Sequence, residues 1–63
     1  MKLYDLYKVS PWASIFIVER DSDCNIKERH EYNGTYDIAN RQVVRINAAK
    51  YPMYASVLEV EIN

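Results

Sequence analysis

The polar residues whose types and spacing could support chemistry form three groups along the chain. The first is Asp21-x-Asp23-x-Asn25, which begins like a calcium-binding loop. Such a loop also requires glycine at its sixth position and glutamate at its twelfth, where this chain has Ile26 and Tyr32. Because aspartate and asparagine favour turns, we predict an ordinary hairpin turn here and no metal site.

The second group is the single cysteine, Cys24, and the single histidine, His30. A nucleophilic thiol needs a base and a pocket, and a turn cysteine in so small a domain is expected to lack the pocket. We interpret Cys24 as a half-exposed turn thiol and His30 as an exposed strand residue. One cysteine and one histidine cannot form a zinc cluster, and the single glycine, Gly34, cannot form a phosphate-binding loop. The sequence thus predicts a protein that is not an enzyme and needs no cofactor.

The third group is Arg41 and Arg45, which flank a predicted strand. Two arginines near tyrosines could clamp a small anion such as a phosphate or a nucleotide. The other interpretation, which we favour, is that arginine pairs across strands with Glu59 or Glu61.

Aromatic residues are abundant, with six tyrosines, one tryptophan and one phenylalanine in 63 residues. Tyrosine and tryptophan are enriched at binding hot spots. We expect Tyr7, Phe16 and Tyr36 in the core. The aromatic rings of two loops either cap a small core or form a contact patch. With the methionine and arginines near them, they make up the candidate binding residues: Trp12, Tyr51, Met53, Tyr54, Arg41 and Arg45.

The elements that must position these residues follow from hydrophobic periodicity. Leu3, Leu6 and Tyr7 share a helical face, and Ser10-Pro11 ends the predicted helix. Patterns of β-branched and alternating residues predict strands over 14–20, 26–32, 42–48 and 56–62, with one helical turn over 36–40 and a loop over 49–54. Strict alternation in the third strand separates Val44, Ile46 and Ala48 from Val43, Arg45 and Asn47.

These elements predict a single α+β domain over residues 1–63. The first strand is apolar on both faces and is placed centrally, whereas the second is highly charged and suits an edge. Two hairpins then give a four-stranded, mostly antiparallel sheet with the short N-terminal helix on one face and the helical turn before the third strand.

Length and charge restrict the partners. A 63-residue chain buries only about 60% of its unfolded surface, so its stability margin is small. With neither disulfide nor zinc, it is expected to gain support from a homodimer, formed by strand pairing or by an aromatic patch. A net charge of −1 with interspersed signs predicts no nucleic-acid binding. Without a long apolar run or a signal peptide, we expect a cytoplasmic protein that does not bind membranes.

Several segments resemble small, largely uncharacterised proteins of phages and prophages of Gram-positive bacteria. They are the opening Met1-Lys2-Leu3-x-Asp5-Leu6-x-Lys8-Val9, then Gly34-x-x-Asp37-Ile38, Arg41-x-Val43-x-x-Ile46 and Leu58-Glu59-Val60-Glu61-Ile62.

The resemblance implies an accessory protein that works in the host cytoplasm and binds or inhibits a host protein, such as a component of a defence system. The chain departs from the pattern at 10–13 and in the loop over 49–54, where a function of its own is expected. The second hypothesis is a homo-oligomer that sequesters a nucleotide-like ligand with Arg41, Arg45 and tyrosines.

Overall fold

The computed structural model describes all 63 residues and shows an α+β fold, as predicted. One helix, α1, precedes four strands, β1 to β4. No helix has the length and apolar character needed to cross a membrane. The bounds are Leu3–Val9 for α1, Ser14–Arg20 for β1, Ile26–Tyr32 for β2, Val43–Ala49 for β3 and Val57–Ile62 for β4.

The four strands form one mixed sheet in the order β2-β1-β4-β3. β1 with β2 and β3 with β4 are antiparallel pairs, as expected of two hairpins. The hairpins meet through β1 and β4, which run parallel. The predicted mostly antiparallel arrangement therefore holds only within the hairpins. The physical reason is burial, because parallel pairs favour covered positions and β1 and β4 are the most buried strands.

Helix α1 crosses one face of the sheet diagonally, and we call this the helix face. Lys2 bridges Gln42 just before β3, and the Tyr7 ring meets the Tyr32 ring at the end of β2, with centroids 5.3 Å apart. The helix and sheet bury one apolar cluster between them, as the helical periodicity predicted. The members of this core are Leu3, Leu6, Ile15, Ile17, Tyr32 and Val60.

The segment over 36–41 is not the predicted helical turn. It forms two successive tight turns, in which the Ala39 amide donates to the Tyr36 carbonyl and the Arg41 amide donates to the Ile38 carbonyl. The carbonyls of Ala39 and Arg41 point to the start of α1 and accept from the amides of Tyr4 and Leu3 at 3.0 and 2.9 Å. They satisfy amides that have no side-chain cap, which explains why the segment does not coil into a helix.

The expected placement of Tyr36 in the core is wrong, since this side chain is 81% exposed. Its ring lies 5.7 Å from that of Tyr4 at the surface of the helix. Interaction with the Tyr36 hydroxyl, together with repulsion between the two phenolates once both are ionised, raises the pKa of Tyr4 above its ordinary value. Tyr7 is also at the surface, and its ring lies over Gly34, whose φ is +88°.

A bulge in β3 overturns the strict alternation predicted for that strand. Val43 pairs with Ile62 and Arg45 pairs with Glu61, so Val44 is the extra residue. Val43 therefore shares the helix face with Ile46 and Ala48, as their partners in β4 require.

The turn between β1 and β2 is built around Asp21. Its carboxylate accepts from the amides of Asp23 and Asn25 at 2.9 and 3.0 Å. Cys24 has a φ of 65° and is exposed rather than half-exposed. His30 differs from its prediction in the other direction, because it is half-buried on the helix face opposite Ile17.

Candidate functional site

The face of the sheet opposite the helix, here called the second face, is covered by the loop between β3 and β4. The rings of Tyr51 and Tyr54 pack on Phe16, with centroids 4.8 and 5.2 Å away, and lie 6.2 Å from each other. In this arrangement the two tyrosines cap an apolar patch, and Phe16 belongs to this patch rather than to the core under the helix. Met53, at the tip of the same loop, is 89% exposed.

Beside these rings, the carboxylate of Glu59 joins the loop to the sheet. It accepts from the Tyr51 hydroxyl and, at 3.1 Å, from Nε of Arg29. The Tyr51 hydrogen bond lowers the pKa of Glu59, and Arg29 adds to that effect while burial opposes it. Burial and the bond to Glu59 in turn raise the pKa of Tyr51. The Glu59 carboxylate is therefore stabilised in its charged form, and its bond to Tyr51 holds the loop against the sheet.

Glu61 is the centre of a second charged group on this face. Its Oε1 accepts from Arg20 Nε at 3.0 Å, and its Oε2 lies 3.7 Å from Arg45 Nε. The cross-strand pairing that we favoured for Arg45 is therefore present. Val18 is only 5% exposed although no helix covers it, because the stems of long charged side chains surround it.

The structure does not bring Arg41 and Arg45 together around one ligand. Arg41 precedes β3, and its Nε donates to the backbone carbonyl of Asn63. It also lines a pocket of about 430 Å³ at the end of the sheet, which we call the Arg41 pocket. Neither Arg45 nor any tyrosine lines that pocket; its other side chains belong to Ile17, Val18, Glu19, Arg20, His30, Ile38, Glu61 and Ile62.

Trp12 lies apart from Tyr51 and Tyr54. It is 64% exposed and pairs with no other ring. It forms one wall of a shallow pocket of about 360 Å³ where β3 ends and β4 begins. We call this pocket the Trp12 corner; it is mostly apolar, and its lining residues are Trp12, Ala48, Ala49, Lys50, Ala55, Ser56, Val57 and Leu58.

The free edge of the sheet next to the Trp12 corner is β3. Every residue from Val44 to Ala48 is exposed, and Arg45 is the only charged residue in the strand. The opposite edge, β2, has four charged residues and His30 between Ile26 and Tyr32. The sequence did not predict this apolar edge, because the local pattern of β3 does not determine the order of the strands in the sheet. Strand order decides which strand lies at the second edge.

Comparison with protein-family models, with curated proteins and with solved structures found no match to this chain.

Proposed function

We propose that this protein is a non-enzymatic protein-binding module that contacts its partner through the Trp12 corner. The observation that carries the proposal is a tryptophan, 64% exposed, that borders an apolar pocket of about 360 Å³. Tryptophan is among the residues most enriched at binding hot spots, and such residues act by filling or bordering desolvated pockets. A partner that inserts one apolar side chain beside Trp12 would remove both surfaces from water.

The charged groups support a binding role rather than a catalytic one. Glu59 and Glu61, the half-buried carboxylates of the second face, are held by arginines and by Tyr51. These contacts hold a loop against the sheet, and the Glu59 contacts lower that carboxylate's pKa. A carboxylate that acts as a general base near neutral pH needs a raised pKa. Glu59 is therefore suited to fixing structure.

The biological setting rests on the sequence resemblance alone. On that basis we propose an accessory protein of a phage or prophage that binds, and inhibits, a host protein in the host cytoplasm. The genes that surround this one would test the setting directly, because a phage accessory gene is expected among other phage genes.

The binding role is tested by removing Trp12. A tagged protein is used to capture partners from host lysate, the captured protein is purified, and its affinity is measured by titration calorimetry. Trp12→Ala is expected to weaken binding by roughly tenfold or more, as hot-spot truncations do. Tyr36→Ala is the matched control, since Tyr36 is an 81% exposed ring outside the corner. Equal affinity of the wild type and Trp12→Ala would contradict the proposal.

A small anionic ligand is the second candidate function, and the Arg41 pocket is the observation that favours it. The pocket has apolar walls and the charged side chains of Glu19, Arg20, Arg41 and Glu61. Arg20 is paired with Glu61, so Arg41 is the cation that would bind an anion with an apolar part. A thermal-shift screen with nucleotides tests this role, because a bound ligand raises the melting temperature by mass action. The shift should disappear in Arg41→Gln and persist in Arg45→Gln. If no anion raises the melting temperature, this candidate function is excluded.

A further inference from the structure

We propose that the exposed edge of β3 pairs with β3 of a second copy of this chain, antiparallel and centred on Asn47. The result is a two-fold dimer with one continuous sheet that has four strands from each copy. The inference goes beyond the proposed function, because it concerns the free edge of β3 beside the Trp12 corner and its test does not depend on Trp12.

The edge formed by β3 is largely unprotected. A free strand offers unpaired backbone groups, and proteins guard such edges with charge, proline or bulges. β2 is guarded by charged side chains along its length, whereas β3 has one arginine, no proline and a bulge only at its start, at Val44. Its central residues are exposed on both faces, so no part of the chain itself covers it. The unpaired backbone groups of this edge are therefore available to pair with another strand.

The position of the bulge in β3 fixes the register of the pair. The bulge at Val44 breaks the regular strand, so the flat part of the edge extends from Arg45 to Ala49. An antiparallel pair that uses all of this flat part and excludes both bulges has Asn47 opposite Asn47 of the second copy. Ile46 then lies opposite Ala48, a large residue against a small one, and Arg45 lies opposite Ala49.

Charge and polarity also fit this register. In this register the two Arg45 side chains are displaced by four residues, about 13 Å along the strand, so they do not repel each other closely. The two Asn47 amides face each other on the second face, and each amide has both donors and acceptors. β2 offers no such solution: self-pairing about its centre places Arg29 against Arg29, and like charges opposite each other destabilise a pair.

The two-fold arrangement also explains why β3 pairs with β3 of the second copy and not with β2. Pairing of β3 with β2 of another copy would be head-to-tail and would not close, which leads to filaments. The charges of β2 oppose that growth. Pairing of β3 with itself uses the only apolar edge and leaves the two charged β2 edges at the outside of the dimer.

Two measurements on the full chain test the proposal. Native mass spectrometry at increasing concentration should show a dimer that Ile46→Lys weakens by roughly tenfold or more, because the lysine places a charge on the paired edge. The control Glu28→Lys changes charge on the β2 edge and should leave the dimer intact. Circular dichroism confirms that both variants remain folded.

The register is tested by oxidation of introduced cysteines, with Cys24 replaced by serine to remove the only native thiol. Asn47→Cys should form an intermolecular disulfide, since the paired Cα atoms would lie within the range of about 4.4–6.8 Å that a disulfide spans. Arg45→Cys, displaced by about 13 Å from its copy, should not. A disulfide at 45 and none at 47 would overturn the register.

A wild-type chain that stays monomeric at all concentrations and does not crosslink at 47 would overturn the inference. That outcome would leave the Trp12 corner standing, because Trp12→Ala is judged by affinity for a captured partner. Conversely, the chain could crosslink at 47 while Trp12→Ala keeps its affinity for the captured partner. That result would support the β3 pairing and contradict the proposed function. If no dimer is present and Ile46→Lys instead abolishes the binding of a captured partner, the edge of β3 pairs with a strand of that partner.

Discussion

The two faces of this sheet are covered by different chemistry. The helix face is closed by the leucines of α1, which meet isoleucine and valine side chains in a cluster that excludes water. The second face is covered by two tyrosines on Phe16 and by carboxylates held by arginines. A short chain with a single helix can thus cover the second face of its sheet with rings and ion pairs. We expect this cover to be weaker than the helix face and to depend on pH.

The largest expected effect comes from the helix face. Ile17 is 2% exposed at the centre of the core, so Ile17→Ala should cost about 2–5 kcal/mol of unfolding free energy, from lost burial and the cavity left behind. For a domain of this size that approaches the total stability. Urea denaturation at several protein concentrations measures the loss, and Ile17→Val, at about 0.5–1.5 kcal/mol, serves as the graded variant.

The second face should respond less to the equivalent truncation. Phe16 is half-buried between Tyr51 and Tyr54, so Phe16→Ala should cost about 2 kcal/mol, below the 3–5 kcal/mol typical of an enclosed phenylalanine. The same urea titrations measure it. A loss equal to that of Ile17→Ala would break the comparison, because the two faces would then contribute alike.

The local patterns predicted the elements of both faces but not how the second face is covered. The apolar residues of β1 and the periodicity of α1 depend only on near neighbours, and so they identified the helix and the central strand. The cover over Phe16 depends on contacts between β1 and a loop some 35 residues later, which no local pattern encodes. Chain topology likewise determines the parallel pairing of β1 with β4. It also determines that Tyr51 packs on the sheet whereas Trp12 is exposed at its corner.

The dependence on pH is the sharpest difference between the faces. The Tyr51 hydroxyl is the main cause of the lowered pKa of Glu59. A carboxylate with a lowered folded-state pKa stabilises the fold above its unfolded-state pKa, and that contribution is lost as the pH falls through the folded-state value. Tyr51→Phe should therefore cost about 1 kcal/mol at pH 7, and the difference from the wild type should narrow in acid.

Thermal melts of the wild type and Tyr51→Phe across the acid range measure this change. Ile17→Val is the control, since a truncation in the helix face removes no titrating group and its effect should keep the same size. A Tyr51→Phe loss that did not shrink in acid would show that the hydroxyl acts by packing, and the contrast in pH response between the faces would disappear.

The smallest effect is expected at the exposed rim of the second face, where Arg45 meets Glu61. The Arg45 side chain is 63% exposed and its Nε lies 3.7 Å from Oε2, whereas Arg20 is 31% exposed and bonds the other oxygen at 3.0 Å. Exposed pairs contribute about 0–1 kcal/mol, so Arg45→Gln should change stability by less than Arg20→Gln does. High salt should reduce the cost of Arg45→Gln by a larger fraction than that of Arg20→Gln, because exposed charges are screened more than partly buried ones. Denaturation of both variants at low and high salt checks this ranking. If Arg45→Gln proved the more costly, the carboxylate would be held from the edge of β3 rather than from β1, and the cover of the second face would depend on the strand that we expect to pair.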